Sequence, residues 1–150
     1  MMRAINLARA GMDGGRGGPF GCVVVKNGEI IGEGNNRVTS TNDPTAHAEV
    51  VAIRTACARL GTFQLDGCSI YTSCEPCPMC LGAIYWARPA KVFYACTRQD
   101  AAAVGFDDEF IYDEFAKPND QRERILINLL RDAGLALFQD WSAKPDKVEY

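Results

Sequence analysis

The strongest constraint on the fold is a set of metal-binding side chains that is divided between two separate segments of the chain. His47, the only histidine, lies two positions before Glu49. Much further along, Cys77 and Cys80 stand three positions apart in the run Pro-Cys-Pro-Met-Cys. One imidazole and two thiolates provide three ligands of a tetrahedral zinc site and leave the fourth position open for water. Any fold of this chain must therefore bring the two segments together.

His47 and Glu49 are predicted to lie in the first turns of a helix. Asp43 and Pro44 are typical of an N-cap followed by proline at the first helical position, and Gly61 is typical of a helix end. Because residues two apart do not share a helix face, these two side chains can converge only on a site beyond the helix N-terminus. The spacing therefore fits a metal site at that end.

Cys77 and Cys80 are predicted to lie in the first turn of a second helix, which covers about residues 77–87 and ends before Pro89. Residues three apart share a helix face, so both sulfur atoms can bind one ion. The rest of this helix is apolar on all sides, which predicts that it is buried.

The remaining pattern predicts an α/β fold. Helices are expected at residues 2–12 and 133–142, a helical turn at 101–104 and a loop at 105–108, while Asn27-Gly28 predicts a β-hairpin. The predicted strands are residues 21–26, 29–35, 69–73 and 91–95. Residues 125–130 fit either a strand or a short buried helix, and a strand is the preferred interpretation. A hairpin followed by alternating helices and strands predicts a three-layer α/β/α sandwich with a mixed, mostly five-stranded sheet.

Charge and hydropathy limit the partners of the protein. The net charge is −3, and the lysine and arginine residues are dispersed rather than collected in a basic stripe, which argues against nucleic acid as substrate. No segment approaches the roughly 20 apolar residues that a membrane span requires. A small-molecule substrate is therefore expected, without nucleic acid or membrane as a partner.

The seven cysteines do not form the pattern of a disulfide framework. Their number is odd, their spacing is clustered, and no secretory leader is expected at the N-terminus. We therefore expect reduced thiols and a cytoplasmic location. Four of them are interpreted as small buried hydrophobic residues without chemistry, namely Cys22, Cys57, Cys68 and Cys96.

Glu49 is the candidate catalytic residue. A carboxylate close to a histidine ligand, and not itself a ligand, is placed to accept a proton from water and to pass it on. His-x-Glu followed by Pro-Cys-x-x-Cys is the pattern of zinc-dependent nucleobase deaminases. The alternative from another class is a non-catalytic zinc or redox module built on Cys74, Cys77 and Cys80. That alternative gives Glu49 and the open ligand position no function.

The wider sequence resembles the cytidine-deaminase-like superfamily and, within it, the bacterial guanine deaminases. The zinc motif carries the resemblance to the superfamily, whereas the loop 105–108 (Gly-Phe-Asp-Asp) and the terminal Glu149-Tyr150 carry the narrower one. The matching runs are residues 17–21, 42–50, 71–87 and 105–108. The resemblance implies one zinc ion per subunit and hydrolysis of guanine to xanthine and ammonia by attack at the purine C2.

The resemblance also implies substrate contacts. Asn36 matches an asparagine that hydrogen-bonds the base, and Phe20 and His47 match ring-contacting positions. Asp108 matches an acidic residue that reads the donor edges of guanine, and Tyr150 matches a C-terminal residue that closes the pocket. Local chemistry alone leaves another interpretation open for four of these residues. Asn36 could be a turn residue, Phe20 a core aromatic, Asp108 a solvated loop carboxylate and Tyr150 a frayed chain end.

The resemblance further implies a homodimer of single-domain subunits, residues 1–150. The C-terminal segment, about residues 130–150, is hypothesised to be exchanged between subunits so that Tyr150 completes the neighbouring site. The chain departs from the family pattern at residues 96–98 and 120–140. Two other substrates remain open: guanosine, because related enzymes share the 105–108 loop, and tRNA adenosine, which the lack of a basic C-terminal helix disfavours.

Overall fold

A computed structural model describes residues 1–149. The chain forms two compact units, Met1–Tyr112 and Asp113–Tyr150. The elements are α1 (Met2–Asp13), β1 (Gly21–Lys26), β2 (Glu29–Asn35), α2 (Val38–Thr41), α3 (Ala48–Leu60), β3 (Ser69–Cys74), α4 (Pro78–Ala87), β4 (Lys91–Cys96), α5 (Arg98–Ala102), α6 (Glu109–Ala116), a 3-10 turn (Asn119–Gln121) and α7 (Arg131–Ala143).

The first unit contains a mixed sheet with the strand order β2-β1-β3-β4. β1 pairs antiparallel with both β2 and β3, whereas β3 and β4 run parallel. The predicted hairpin between β1 and β2 is confirmed. Asn27 and Gly28 both have positive φ, 51° and 81°, as a two-residue turn matched to the strand twist requires. The mixed α/β architecture is therefore confirmed.

The predicted fifth strand is wrong. Residues 125–130 have no regular secondary structure and pair with no strand in the part of the chain that the structure describes. The side chain of Ile127 is 85% exposed. An apolar run of this length is too short to show the periodicity that identifies a strand. Its apolar composition alone suggested a strand, and that prediction was wrong. The sheet of the first unit has four strands among residues 1–149.

Helices cover both faces of this sheet, as the three-layer prediction required. α1 lies against β1 at Gly21, where an added Cβ would be 2.6 Å from the backbone nitrogen of Ala8. α3 lies against β2 at Gly34, where an added Cβ would be 2.7 Å from the nitrogen of Ala52. Gly34 pairs with Cys22, the neighbour of Gly21 along β1, so the two glycines face opposite sides of the sheet.

The main hydrophobic core lies between the sheet, α3 and α4. Its buried members are Cys22, Val24, Ile31, Ala48, Ala52, Ala56, Leu65, Cys68, Ile70, Ile84 and Ala87. Cys22 and Cys68 are fully buried, as predicted, and Cys57 is partly buried against this core. The prediction that Cys96 is buried is wrong, because β4 is an edge strand and all six of its residues are exposed.

The second unit, of which residues 113–149 are described, contains the end of α6, the 3-10 turn and α7. The predicted C-terminal helix at residues 133–142 is confirmed and is slightly longer. Its apolar side chains Leu137 and Phe138 are 70% and 71% exposed. Within residues 1–149, none of the helices has the length and apolar character that crossing a bilayer requires.

Candidate active site

His47 lies at the N-terminal tip of α3 as its N-cap residue, with extended backbone angles. The predicted helix start at Pro44 is wrong. The carboxylate of Asp43 accepts hydrogen bonds from the backbone N–H and the hydroxyl of Thr45, at 2.8 and 2.7 Å. These bonds form a side-chain turn instead of a helical one. As a result His47 precedes the helix, while Glu49 lies in its first turn.

Cys77 lies at the equivalent position of α4. It is the N-cap residue, Pro78 occupies the first helical position, and the Cys77 Sγ accepts the backbone N–H of Cys80 at 3.5 Å. Proline is well suited to this position because its missing N–H would have had no partner within the helix. Both predicted metal-binding segments therefore lie at helix N-termini, whose partial positive charge stabilises thiolates.

The two N-termini meet, which brings the three predicted ligands together. The Nδ1 of His47 lies 3.5 Å from the Sγ of Cys77 and 3.5 Å from the Sγ of Cys80. All three atoms lie within 4.8 Å of one another. Zinc–sulfur and zinc–nitrogen bonds of ordinary length at a tetrahedral angle place N and S about 3.6 Å apart. The donor set therefore fits zinc in both chemistry and spacing.

Hydrogen bonds among these three side chains shift their pKa values. The hydrogen bond from Cys80, together with that of His47, lowers the pKa of Cys77 to about 4. The same bond to Cys77, with burial, raises the pKa of Cys80. The bond to Cys77 also raises the pKa of His47. The hydrogen bonds to Cys77 therefore favour its thiolate form, which is the form that binds a metal.

Glu49 lies beside this donor set and is only 5% exposed. Its Oε1 accepts a hydrogen bond from the Thr72 hydroxyl at 2.7 Å, and its Oε2 accepts one from the Cys80 thiol at 3.3 Å. Burial raises the pKa of the Glu49 carboxyl, and the Thr72 bond opposes this increase. One oxygen is thus held by the sheet, while the other faces the metal ligands.

A cavity of about 510 Å³ in the first unit is lined by His47, Glu49 and Cys77. Its walls contain the other predicted site residues that the structure describes. Asn36 directly follows β2, and its backbone N–H donates to the carbonyl of Phe20 at 3.0 Å, so these two lie side by side. Phe20 packs edge-to-face on Phe106 with centroids 4.9 Å apart. Tyr150 lies outside the described residues.

Asp108 lines the same cavity immediately before α6. Burial raises the pKa of its carboxyl, and the nearby charge of Cys77 raises it further. The structure therefore places Asp108 in the wall of the cavity that His47 and Cys77 also line. The predicted loop at residues 105–108 is confirmed, and the predicted helical turn corresponds to α5, whereas α6 was not predicted.

Cys74 lines the cavity without joining the donor set. Among residues 1–149, the metal-donor group consists of His47, Cys77 and Cys80. The Cys74 thiol instead donates to the carbonyl of Thr97 at 3.4 Å, and burial raises its pKa to about 11. It therefore stays a protonated thiol, which disfavours the alternative module of three cysteines.

Sequence analysis assigned no role to three residues of this region, Thr72, Glu75 and Arg98. Thr72 is 1% exposed, and Glu75 and Arg98 line the cavity. The signal for Thr72 was its place in the run 69–73, which was predicted to be a strand. Arg98 was noted only because residues 96–98 depart from the family pattern.

Comparison with known proteins agrees with this geometry. The model of the cytidine and deoxycytidylate deaminase zinc-binding region matches residues 1–96. The guanine deaminase of Bacillus subtilis (strain 168) is 57% identical over 150 residues, which are 100% of this chain and 96% of that protein. Its X-ray structure superposes with a TM-score of 0.97 at 58% identity, covering 99% of this chain and 95% of that chain.

Other relatives match with lower identity or over a shorter part of the chain. A guanine deaminase from Nitrosomonas europaea has a TM-score of 0.68 and 33% identity, covering 95% of this chain and 82% of that one. The tRNA-specific adenosine deaminase of Aquifex aeolicus (strain VF5) is 48% identical over 77 residues, only 51% of each chain. The family model spans more than half of the sequence and includes all three metal donors. The chain therefore belongs to the cytidine and deoxycytidylate deaminase family of zinc-binding proteins.

Proposed function

We propose that this protein is a zinc-dependent guanine deaminase, which hydrolyses guanine to xanthine and ammonia. One observation carries the proposal: three zinc ligands cluster where two helix N-termini meet, and two of them, His47 and Cys77, line a single cavity together with Glu49. The full-length identity to a guanine deaminase supports the choice of substrate. The matches to tRNA-specific adenosine deaminases are shorter, and those that cover 73% of the chain have lower identity, 39% and 38%, so they support that substrate less.

His47, Cys77 and Cys80 hold the metal in this proposal, one ion per subunit. Zinc supplies Lewis acidity, which lowers the pKa of water to near neutrality. The chain itself supplies the proton transfer. The Oε2 of Glu49 faces the Cys80 sulfur at 3.3 Å, so this oxygen takes the proton of the attacking water. The Oε1 is held by Thr72 and keeps the carboxylate oriented.

The proton balance then follows from guanine chemistry. The water oxygen forms a bond to C2, and Glu49 delivers the first proton to a ring nitrogen. A second proton, also carried by Glu49, goes to the exocyclic amine as the C2–N bond breaks. Ammonia leaves, and the former water oxygen becomes the 2-oxo group of xanthine. A buried carboxyl with a raised pKa suits both acceptance and return of a proton.

Substrate orientation is proposed to come from the cavity walls. Asn36, 6% exposed, offers an amide to the polar edge of the base, and Phe20 and His47 contact the purine ring. Asp108 accepts hydrogen bonds from the N–H donors of guanine. Because xanthine has an oxo group where guanine has an amine, an acceptor at that edge distinguishes substrate from product.

We also propose a homodimer in which about residues 130–150 are exchanged, so that Tyr150 closes the neighbouring cavity. Exposed apolar surface supports this arrangement, since large exposed apolar patches mark association sites. Tyr85 and Trp86 of α4 are 75% and 64% exposed, and the described part of the second unit exposes Leu129 and Leu137. A chain ending at Asp140 should keep zinc and lose guanine turnover, and full activity of this truncation would exclude a role for the tail.

A cytoplasmic location is proposed as well. All seven cysteines are free thiols, which is the usual state in a reducing compartment.

The substrate is tested by ammonia release from guanine, guanosine and adenosine-containing tRNA, measured in parallel on zinc-loaded protein. We expect release from guanine and much lower rates with the other two. Faster ammonia release from guanosine would identify guanosine, and not guanine, as the substrate. Absence of activity on all three, with one zinc bound per chain, would favour the non-catalytic module.

A further inference from the structure

A ring of contacts next to the metal ligand Cys77, with two members in the cavity wall, has no role in the mechanism described so far. It consists of Glu75, Pro76, Arg98 and Tyr112. The backbone N–H of Arg98 donates to the Oε2 of Glu75 at 3.1 Å, and the Arg98 Nε lies 3.7 Å from the Oε1. The Arg98 guanidinium carbon lies 4.7 Å from the centre of the Tyr112 ring. The Tyr112 hydroxyl donates to the carbonyl of Pro76 at 3.2 Å.

These contacts close on themselves, because Pro76 follows Glu75 directly along the chain. A fifth contact anchors the ring to the sheet, since the Glu75 N–H donates to the Cys96 carbonyl at 2.8 Å. The side chains of Glu75 and Arg98 are only 23% and 34% exposed. Partial burial strengthens an ion pair relative to one in open water, and it also makes an incomplete network costly.

The ring joins two segments that carry different parts of the site. On one side, Pro76 is bonded to Cys77, a metal ligand. On the other side, Tyr112 lies one helical turn after Asp108, and the intervening backbone is fixed by a hydrogen bond from Ile111 N–H to the Asp108 carbonyl at 3.1 Å. A displacement of Tyr112 relative to Pro76 therefore also displaces Asp108 relative to Cys77.

Arginine suits this position better than lysine. Its planar guanidinium can face a carboxylate and lie over an aromatic ring at the same time, whereas an ammonium is a compact charge without a flat face. The Nε atom of Arg98 is buried and makes no hydrogen bond in the part of the chain that the structure describes. Its position is thus set by the ion pair and the ring contact together.

We propose that Arg98 is a positioning residue, which with Glu75 and Tyr112 sets the separation between the metal ligand Cys77 and the substrate contact Asp108. This inference rests on the proposed guanine deaminase function. The network acts on substrate binding more than on proton transfer, because Glu49 and Thr72 belong to other elements and do not contact it. Loss of the network should therefore raise KM more than it lowers kcat.

Three variants test this role on the full-length, zinc-loaded protein. Arg98→Ala removes the partly buried ion pair with Glu75 and the contact with the Tyr112 ring, and it keeps the backbone hydrogen bond. It should raise the KM for guanine severalfold and leave zinc content unchanged. Tyr112→Phe removes only the hydroxyl that reaches Pro76 and should raise KM severalfold. Tyr112 does not line the cavity, so its effect cannot come from direct contact with the base. Arg98→Lys should recover only part of the loss.

Guanine affinity is measured separately in the Glu49→Gln background, where binding proceeds without turnover. The combined Arg98→Ala and Tyr112→Phe changes should weaken binding by less than the product of the single effects, because both break one network. Arg3→Ala is the matched control. It removes an Arg–Glu pair of 2.7 Å with Glu33 that does not line the cavity, and KM should stay at the wild-type value.

The outcomes separate the two proposals. A wild-type protein without activity on guanine overturns the proposed function itself. An active wild type with unchanged KM and guanine affinity in both Arg98→Ala and Tyr112→Phe overturns only the positioning role. Equal losses of kcat and zinc, without a change in KM, would also overturn it, because they would indicate a general structural effect. If Arg98→Ala does not fold, Tyr112→Phe decides alone.

Discussion

The hydrogen bond between Thr72 and Glu49 permits a sharp test of the mechanism. Thr72→Val replaces the hydroxyl by a methyl group of nearly the same size, in a side chain that is 1% exposed. The substitution leaves the packing of β3 nearly unchanged and removes the donor that lies 2.7 Å from the Glu49 Oε1. The carboxylate then loses its fixed orientation beside the metal ligands.

The size of the effect follows from the charge of the acceptor. A hydrogen bond to a charged group contributes roughly 1.5–3 kcal/mol, and about 1.36 kcal/mol corresponds to a factor of ten in rate. We therefore expect kcat for guanine to fall about 10- to 100-fold. KM should change little, since Thr72 does not line the cavity, and zinc content should stay at one ion per chain.

The assay is steady-state ammonia release, combined with metal analysis of the same samples. Thr72→Ser is the matched control because it keeps the hydroxyl and loses only the methyl group. It should retain most of the wild-type kcat. Wild-type kcat in Thr72→Val would refute the reasoning, and so would an equally large loss in Thr72→Ser, which would point to packing instead of the hydrogen bond.

Three further predictions concern the proton carrier, the purine contact and the packing of α3. Glu49→Gln should bind zinc normally and lose at least about 10²-fold in kcat, because an amide cannot accept a proton from water and pass it on; near-normal turnover would contradict this role. Asp108 accepts hydrogen bonds with both oxygens only as a carboxylate, the form present above its pKa, and burial raises that pKa. KM for guanine should therefore rise as pH falls, starting at a higher pH than for an ordinary aspartate, and Asp108→Asn should lack this dependence. Gly34→Ala should destabilise the protein by about 1–3 kcal/mol in thermal or denaturant unfolding, since its Cβ would collide with the Ala48 carbonyl of α3. Gly82→Ala is the control: it lies in a helix with open space around it and should stabilise by about 0.4–1 kcal/mol.

The metal ligands could be predicted because their chemistry is local. His47, Cys77 and Cys80 were identified from residue type and spacing, and the geometric demand that His47 and Glu49 act beyond a helix end is met by the observed structure. The start of α3 was nevertheless misplaced. A proline after an aspartate is compatible with both a helix and a side-chain turn, and only the contacts of Asp43 with Thr45 distinguish them.

Features that depend on distant partners could not be predicted. Thr72 and Glu49 are far apart in sequence, and no local pattern indicates that a threonine in β3 holds a carboxylate of α3. The ring around Arg98 likewise joins three segments. The conformation of residues 125–130 depends on which surface an apolar run packs against, and composition does not specify that surface. Long-range contacts of this kind require the register and layer order of the whole sheet.

The glycines of β2 have a consequence for how the enzyme tolerates variation. Gly32 and Gly34 allow the backbone of α3 to lie directly on the strand, with an added Cβ at Gly32 only 2.8 Å from the Cβ of Ala56. The distance between α3 and β2 is thus set by direct contact between their backbones. Apolar residues elsewhere in the core can be exchanged for others of similar volume without moving His47. The position of His47 is in this way protected from many core substitutions, whereas Gly32 and Gly34, like Gly21 beneath α1, leave no space for a larger side chain.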